Sequence, residues 1–111
     1  MRAQEFITEA NVVKTVQVGI YSVAIDQHFV DRIVYRKVKE VDAFSTLDKL
    51  PQTKAKLKDI FPGQSFWLHD NTNDISLGIK TINQEKKEYL LKTAVPNRPW
   101  GDNNYPIIEV R

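Results

Sequence analysis

Apolar and polar positions change period along the chain, and each change marks an element. From Lys14 to Ile25 (KTVQVGIYSVAI) the side chains alternate. Val16, Val18, Ile20, Ser22 and Ala24 fall on one side, with Thr15, Gln17, Gly19, Tyr21, Val23 and Ile25 on the other, so the run predicts one β-strand. From Asp26 to Arg36 the period becomes helical: Phe29, Val30, Ile33 and Val34 line an apolar face, and Asp26 stands where an N-cap belongs. A second helix is expected over about 38–49, with Val38, Val41, Phe44 (or Ser45) and Leu47 inward and Pro51 as its stop. A shorter helical piece follows over 52–60, turning Leu57 and Ile60 inward and ending at Phe61-Pro62-Gly63.

After Gln64 the period returns to two. Strands are expected over 65–70, 75–82 and 88–95, joined by the polar turns Asn71–Asp74 and Asn83–Lys87. Connections this short imply an antiparallel meander. The stretch from Pro96 to Asn104 reads as irregular, and Pro106–Val110 as a returning edge strand. The expected architecture is α+β in two layers: one strand, then two to three helices packed on a three- to four-stranded antiparallel meander. The chain divides into a removable leader, 1–9, and one domain, 10–111, whose tail is irregular from about 96.

Composition narrows the chemistry. At 111 residues, 41% hydrophobic and 27% charged, the chain can bury one core without staples. It has no cysteine, so disulfides, thiolate nucleophiles and cysteine-ligated zinc are excluded. No apolar run approaches the roughly 20 residues of a membrane helix, and no membrane partner is expected. A net charge of +2 and a pI near 8.9 are compatible with nucleic acid without requiring it. No phosphate-cradling glycine loop, paired carboxylates or metal-ligand spacing is present, so neither a metal nor a cofactor is expected.

The helix after the first strand carries the most specific chemistry. His28, Arg32 and Arg36 recur at i, i+4 and i+8 and stack along one face beside the apolar one. An imidazole that titrates near neutrality, next to two guanidinium forks, suits a phosphate. The plainer readings are an ordinary amphipathic helix in which Arg32 pairs with Asp70 or caps a strand end, and His28 is a first-turn residue. Lys54 and Lys58, with Lys56, make a basic outer face that adds diffuse phosphate affinity. Trp100, in the irregular tail, is the better candidate for an exposed base contact, whereas whichever of Phe66 and Trp67 faces inward is core.

Two resemblances add to these patterns. The segment EFITEANVVK resembles the leader of the internal, capsid-packaged proteins of T-even-type bacteriophages. The prohead protease removes such leaders after a branched apolar residue, any residue and a Glu, before a small residue. Ile7-Thr8-Glu9, followed by Ala10, matches each of those positions. The implied cut falls between Glu9 and Ala10, removing Arg2, Glu5 and Glu9 and moving the formal charge from +2 to +3. The other reading of these residues is a frayed helical turn.

The body, about Val16 to Val95, resembles the RelE/BrnT-type toxin fold, a superfamily of small ribonucleases. The features that carry this are His28/Arg32/Arg36 on the helix, Phe66-Trp67-Leu68-His69-Asp70 on a strand ending at Asp, and Leu90-Leu91-Lys92-Thr93 on a late strand. A metal-independent endoribonuclease needs a base, an acid and cations for the charge that develops on phosphate oxygens. The resemblance implies His28 as base, Arg32, Arg36 and Lys92 as cations, and His69 or Tyr35 as acid.

Joined, the two imply a phage protein packaged in the capsid interior, processed after Glu9 by the prohead protease and delivered to the host cytoplasm. There its domain is expected to act on host RNA or a host factor, as a monomer or small homo-oligomer. The rival expectations are a non-enzymatic inhibitor of a host defence nuclease and a structural capsid component.

Overall fold

The computed structural model describes residues 12–60, 63–97 and 105–111. It is an α+β fold: one six-stranded sheet with helices on one face. The strands are β1 (Val12–Val18), β2 (Tyr21–Asp26), β3 (Ser65–Asp70), β4 (Ile75–Asn83), β5 (Glu88–Pro96) and β6 (Ile107–Val110). The helices are α1 (Gln27–Tyr35), α2 (Glu40–Leu47), a 3-10 turn (Leu50–Thr53) and the single turn α3 (Lys54–Leu57). The sheet order is β1-β2-β5-β4-β3-β6, with β2–β5 and β3–β6 parallel and the other neighbours antiparallel.

The single strand expected over 14–25 is instead a hairpin, β1–β2. Val18 pairs with Tyr21 across the two-residue loop Gly19-Ile20, and Gly19 has φ 61°, as the first central position of a type II′ turn requires. The turn exchanges the faces. Val16 and Val18 lie on the helix side in β1, while Tyr21, Val23 and Ile25 take that side in β2. The meander β3–β4–β5 is present as expected, and Pro106 leads into the edge strand β6, which is parallel to β3.

Both ends of α1 are capped. The Asp26 carboxylate accepts from His28 N–H at 3.1 Å and caps α1. At the other end Lys37 adopts φ 59°, with Lys37 N–H donating to Val34 O (3.2 Å) and Val38 N–H to Ile33 O (2.9 Å). That is a Schellman motif with a lysine in the position usually given to glycine, and Val38 packs on the core behind it. α2 begins two residues later than expected. Val41 is therefore exposed at 71%, and Ala43, Thr46 and Leu47 face inward. The third helical piece is shorter than expected, a 3-10 turn followed by one α turn, although Leu57 and Ile60 are buried as expected.

One core fills the space between the helices and the sheet. Phe29, Ile33, Leu47, Phe66, Leu68, Leu77, Ile79 and Leu91 belong to it. Trp67 and Leu90 are also buried but belong to the opposite face of the sheet, because their neighbours in sequence, Phe66, Leu68, Tyr89 and Leu91, face the helix-side core.

Candidate functional site

α1 holds the residues from which the phosphate chemistry was expected, and the structure separates them. His28 and Arg32 are together: Arg32 Nη2 lies 3.4 Å from His28 Nε2. Arginine only donates, so a hydrogen bond here runs from Arg32 to Nε2. The pair offers an imidazole and a guanidinium side by side on an exposed helix face, a fork that suits a carboxylate or a phosphate oxygen. Among the described residues no carboxylate pairs with Arg32.

Arg36 is engaged elsewhere. Its Nη1 donates to Ala94 O at 2.9 Å and lies 3.4 Å from Thr93 Oγ1. The reason is topological. The β2–β5 ladder stops at Ile25–Leu91 because β2 gives way to α1, which leaves the rest of that flank of β5 without a strand. Arg36 supplies the missing donor there. A helix arginine does cap a strand end, but it is Arg36 and not Arg32.

Lys92 lies on the other side of the sheet from α1. Its Nζ is 3.3 Å from Ser65 Oγ and 5.7 Å from the Tyr105 ring centroid. Ser65 alternates with the core-facing Phe66, so this contact belongs to the face away from the helices. His28, Arg32, Arg36 and Lys92 thus do not converge on one phosphate. Lys54 and Lys58 are exposed on α3 and just beyond it. Trp100 and the Ile7, Glu9 and Ala10 cleavage positions lie outside the described residues.

Asp70 is neither Arg32's partner nor free. It is fully buried, and both its oxygens are occupied. Oδ1 accepts from Lys49 Nζ (2.8 Å) and Thr72 N–H (2.9 Å); Oδ2 accepts from Thr46 Oγ1 (2.9 Å) and Asn73 Nδ2 (2.8 Å). Burial pushes this carboxyl up, but Lys49, Thr72, Thr46 and Asn73 together outweigh burial and hold its pKa at about 2. One side chain therefore ties α2, the end of β3 and the β3–β4 turn together.

His69 has the outline of a catalytic dyad and lacks its hydrogen-bond logic. Its Nδ1 is 2.9 Å from Ser76 Oγ, and its Nε2 is 3.7 Å from Asp74 Oδ1. Ser76 Oγ donates to Asn97 O at 2.7 Å, which uses its only proton. Nδ1 must therefore donate to Ser76, and a general base would need a lone pair there. Ser76 is also fully buried. The cluster serves to fix the start of β4 against the residue after β5.

Tyr35 (79% exposed) and Val34 (73%) are exposed on α1, and Val41 (71%) on α2. Tyr35, expected as an acid, is instead one of the most exposed large hydrophobic side chains of α1 and follows Arg32 by three, the spacing that puts two side chains on one helix face. Among the described residues no cluster of three or more His, Asp or Glu could hold a metal ion, and no helix is long and apolar enough to cross a membrane. No protein-family model matches the chain, and no curated protein or solved structure matches it.

Proposed function

We propose that this is a phage protein packaged in the capsid, trimmed between Glu9 and Ala10 and delivered into the host, where it binds and blocks a host defence protein without turning over a substrate. The packaging half is supported by the EFITEA segment and the Ile7-Thr8-Glu9-Ala10 match to the prohead protease site. The binding half is carried by one observation: Tyr35, three residues beyond Arg32 on the same helix face, is 79% exposed. Tyrosine and arginine are enriched among the residues that anchor protein interfaces. An RNA partner fits less well. Affinity for RNA grows with the number of phosphates neutralised, and Arg36 and Lys92 make their contacts elsewhere.

A second reading, a RelE/BrnT-like endoribonuclease, draws on the element order from β2 to β5: a strand, helices α1 and α2 with the short 3-10 turn and α3, and a three-stranded meander. β1 and β6 are additions to that order. Variants separate the readings. The host is one that restricts phage lacking this gene, and the measurement is plating efficiency. Phage carrying Arg32→Ala with Tyr35→Ala should plate like the deletion, while His28→Ala should plate like the parent. Loss with His28→Ala alone, together with RNA cleavage by the purified parent at low salt, favours the enzyme and contradicts the binder.

A further inference from the structure

The two edges of the sheet are not alike. β6 has four residues, follows Pro106 and carries Glu109, so that edge is short and blunted. β1 has seven residues, no proline and one charge, Lys14, and among the described residues no strand lies beside its outer edge. Its regular part is Lys14–Val18, because the register shifts between Val12 and Lys14.

Hairpin geometry fixes which backbone groups point outward. A two-residue loop closes on a hydrogen-bonded pair, here Val18–Tyr21. Hydrogen-bonded and non-bonded pairs then alternate, so Val16 and Lys14 also bond to β2, and Thr15 and Gln17 present their N–H and C=O to the open edge. Such a row of unpaired groups on a β-branched strand is a template for another strand.

We propose that the β1 edge pairs with the β1 edge of a second copy, antiparallel and two-fold, with Val16 facing Val16 at the axis. In this register Thr15 of each copy opposes Gln17 of the other, and the two pairs exchange about four N–H···O bonds. Lys14 faces Val18, so no like charges meet. Gly19 and Ile20 fall opposite Val13 and Val12. Centring the pairing on Thr15 instead would set Gln17 against Val13, in the part of β1 where the register shifts. The interface is the same patch on both copies, as a closed dimer requires. It is small, so the dimer dissociates readily.

The chain has no cysteine, which makes the register directly testable. Opposed residues of a non-hydrogen-bonded pair have Cα atoms about 4.5 Å apart, inside the roughly 4.4–6.8 Å that a disulfide spans. In the full chain, Val16→Cys should oxidise to a covalent dimer at least about tenfold faster than Gln17→Cys, whose two thiols would lie on opposite sides of the axis. Thr15→Pro removes an outward N–H and leaves the β1–β2 ladder intact. Added to Val16→Cys, it should bring the rate down to that of Gln17→Cys while circular dichroism stays unchanged. Sedimentation of the unmodified chain up to about 1 mM should show a reversible dimer. Equal oxidation rates for the two cysteine variants, or a monomer throughout that range, would overturn the proposal.

Discussion

Among the described residues Asp70 is a fully buried carboxylate held by four donor groups. Its carboxyl is held at about 2, against an ordinary value of 3.8. A depressed folded-state value means that the native state binds this proton more weakly than the unfolded chain does. Its contribution is complete above the unfolded pKa and is lost as pH falls from about 4 toward 2. The size is about 2–3 kcal/mol, from roughly 1.4 kcal/mol per pH unit. Urea unfolding between pH 6 and pH 2.5 should therefore show a loss of stability on the acid side that Asp70→Asn largely abolishes. Asp70→Asn should also be less stable at pH 7, because Lys49 loses its buried partner. Residue identities announced part of this picture. Asp26 as an N-cap and Leu57 and Ile60 as core positions followed from local spacing, and all three are found there. The Asp70–Lys49–Thr46 cluster did not, because its members meet across 21 and 24 residues and only the packing of α2 on the sheet brings them together.

Among the elements, the period of the sequence located strand and helix well and missed one reversal. The run from Lys14 to Ile25 looks like a single strand if its alternation is followed without a break. The large apolar residues switch sides within it, from Val16 and Val18 to Tyr21, Val23 and Ile25, and Gly19 sits at the switch. A glycine inside a strand pattern, with the face changing across it, is the signature of a two-residue hairpin. Gly19→Ala tests this at one atom. The φ of 61° is unfavourable for alanine, and an added Cβ would lie 3.2 Å from Pro51 Cγ. A loss of about 1–2 kcal/mol in urea unfolding is expected; an unchanged midpoint would contradict the turn. The placement of α2 was missed for a different reason. Val38 suggested a helix that started there, but Lys37 in the left-handed region uses Val38 to close α1, and the next helix starts only at Glu40.

On the scale of the whole molecule, α+β and the β3–β4–β5 meander were legible because short polar turns leave consecutive strands little choice but to pair. The full sheet was not, since the parallel β2–β5 and β3–β6 pairings depend on long connections that carry no local signal. The same limit applies to the candidate site. His28 and Arg32 are neighbours because four residues make a helical turn. Arg36 left the group because the flank of β5 beyond Leu91 has no strand of the β2–β5 ladder beside it, and Lys92 because strand alternation turns it to the far face. What remains on α1 is the His28–Arg32 pair, with the exposed Tyr35 three residues beyond Arg32.

The proposed role presupposes delivery with phage DNA, and the proposed cut after Glu9 would leave a covalent trace. Intact-mass measurement of the proteins in purified virions tests it most directly. A chain that begins at Ala10, and that keeps residues 1–9 when Glu9→Gln is introduced, is the predicted result. A chain that enters the particle still beginning at Met1, or that is missing from the particle, would contradict it.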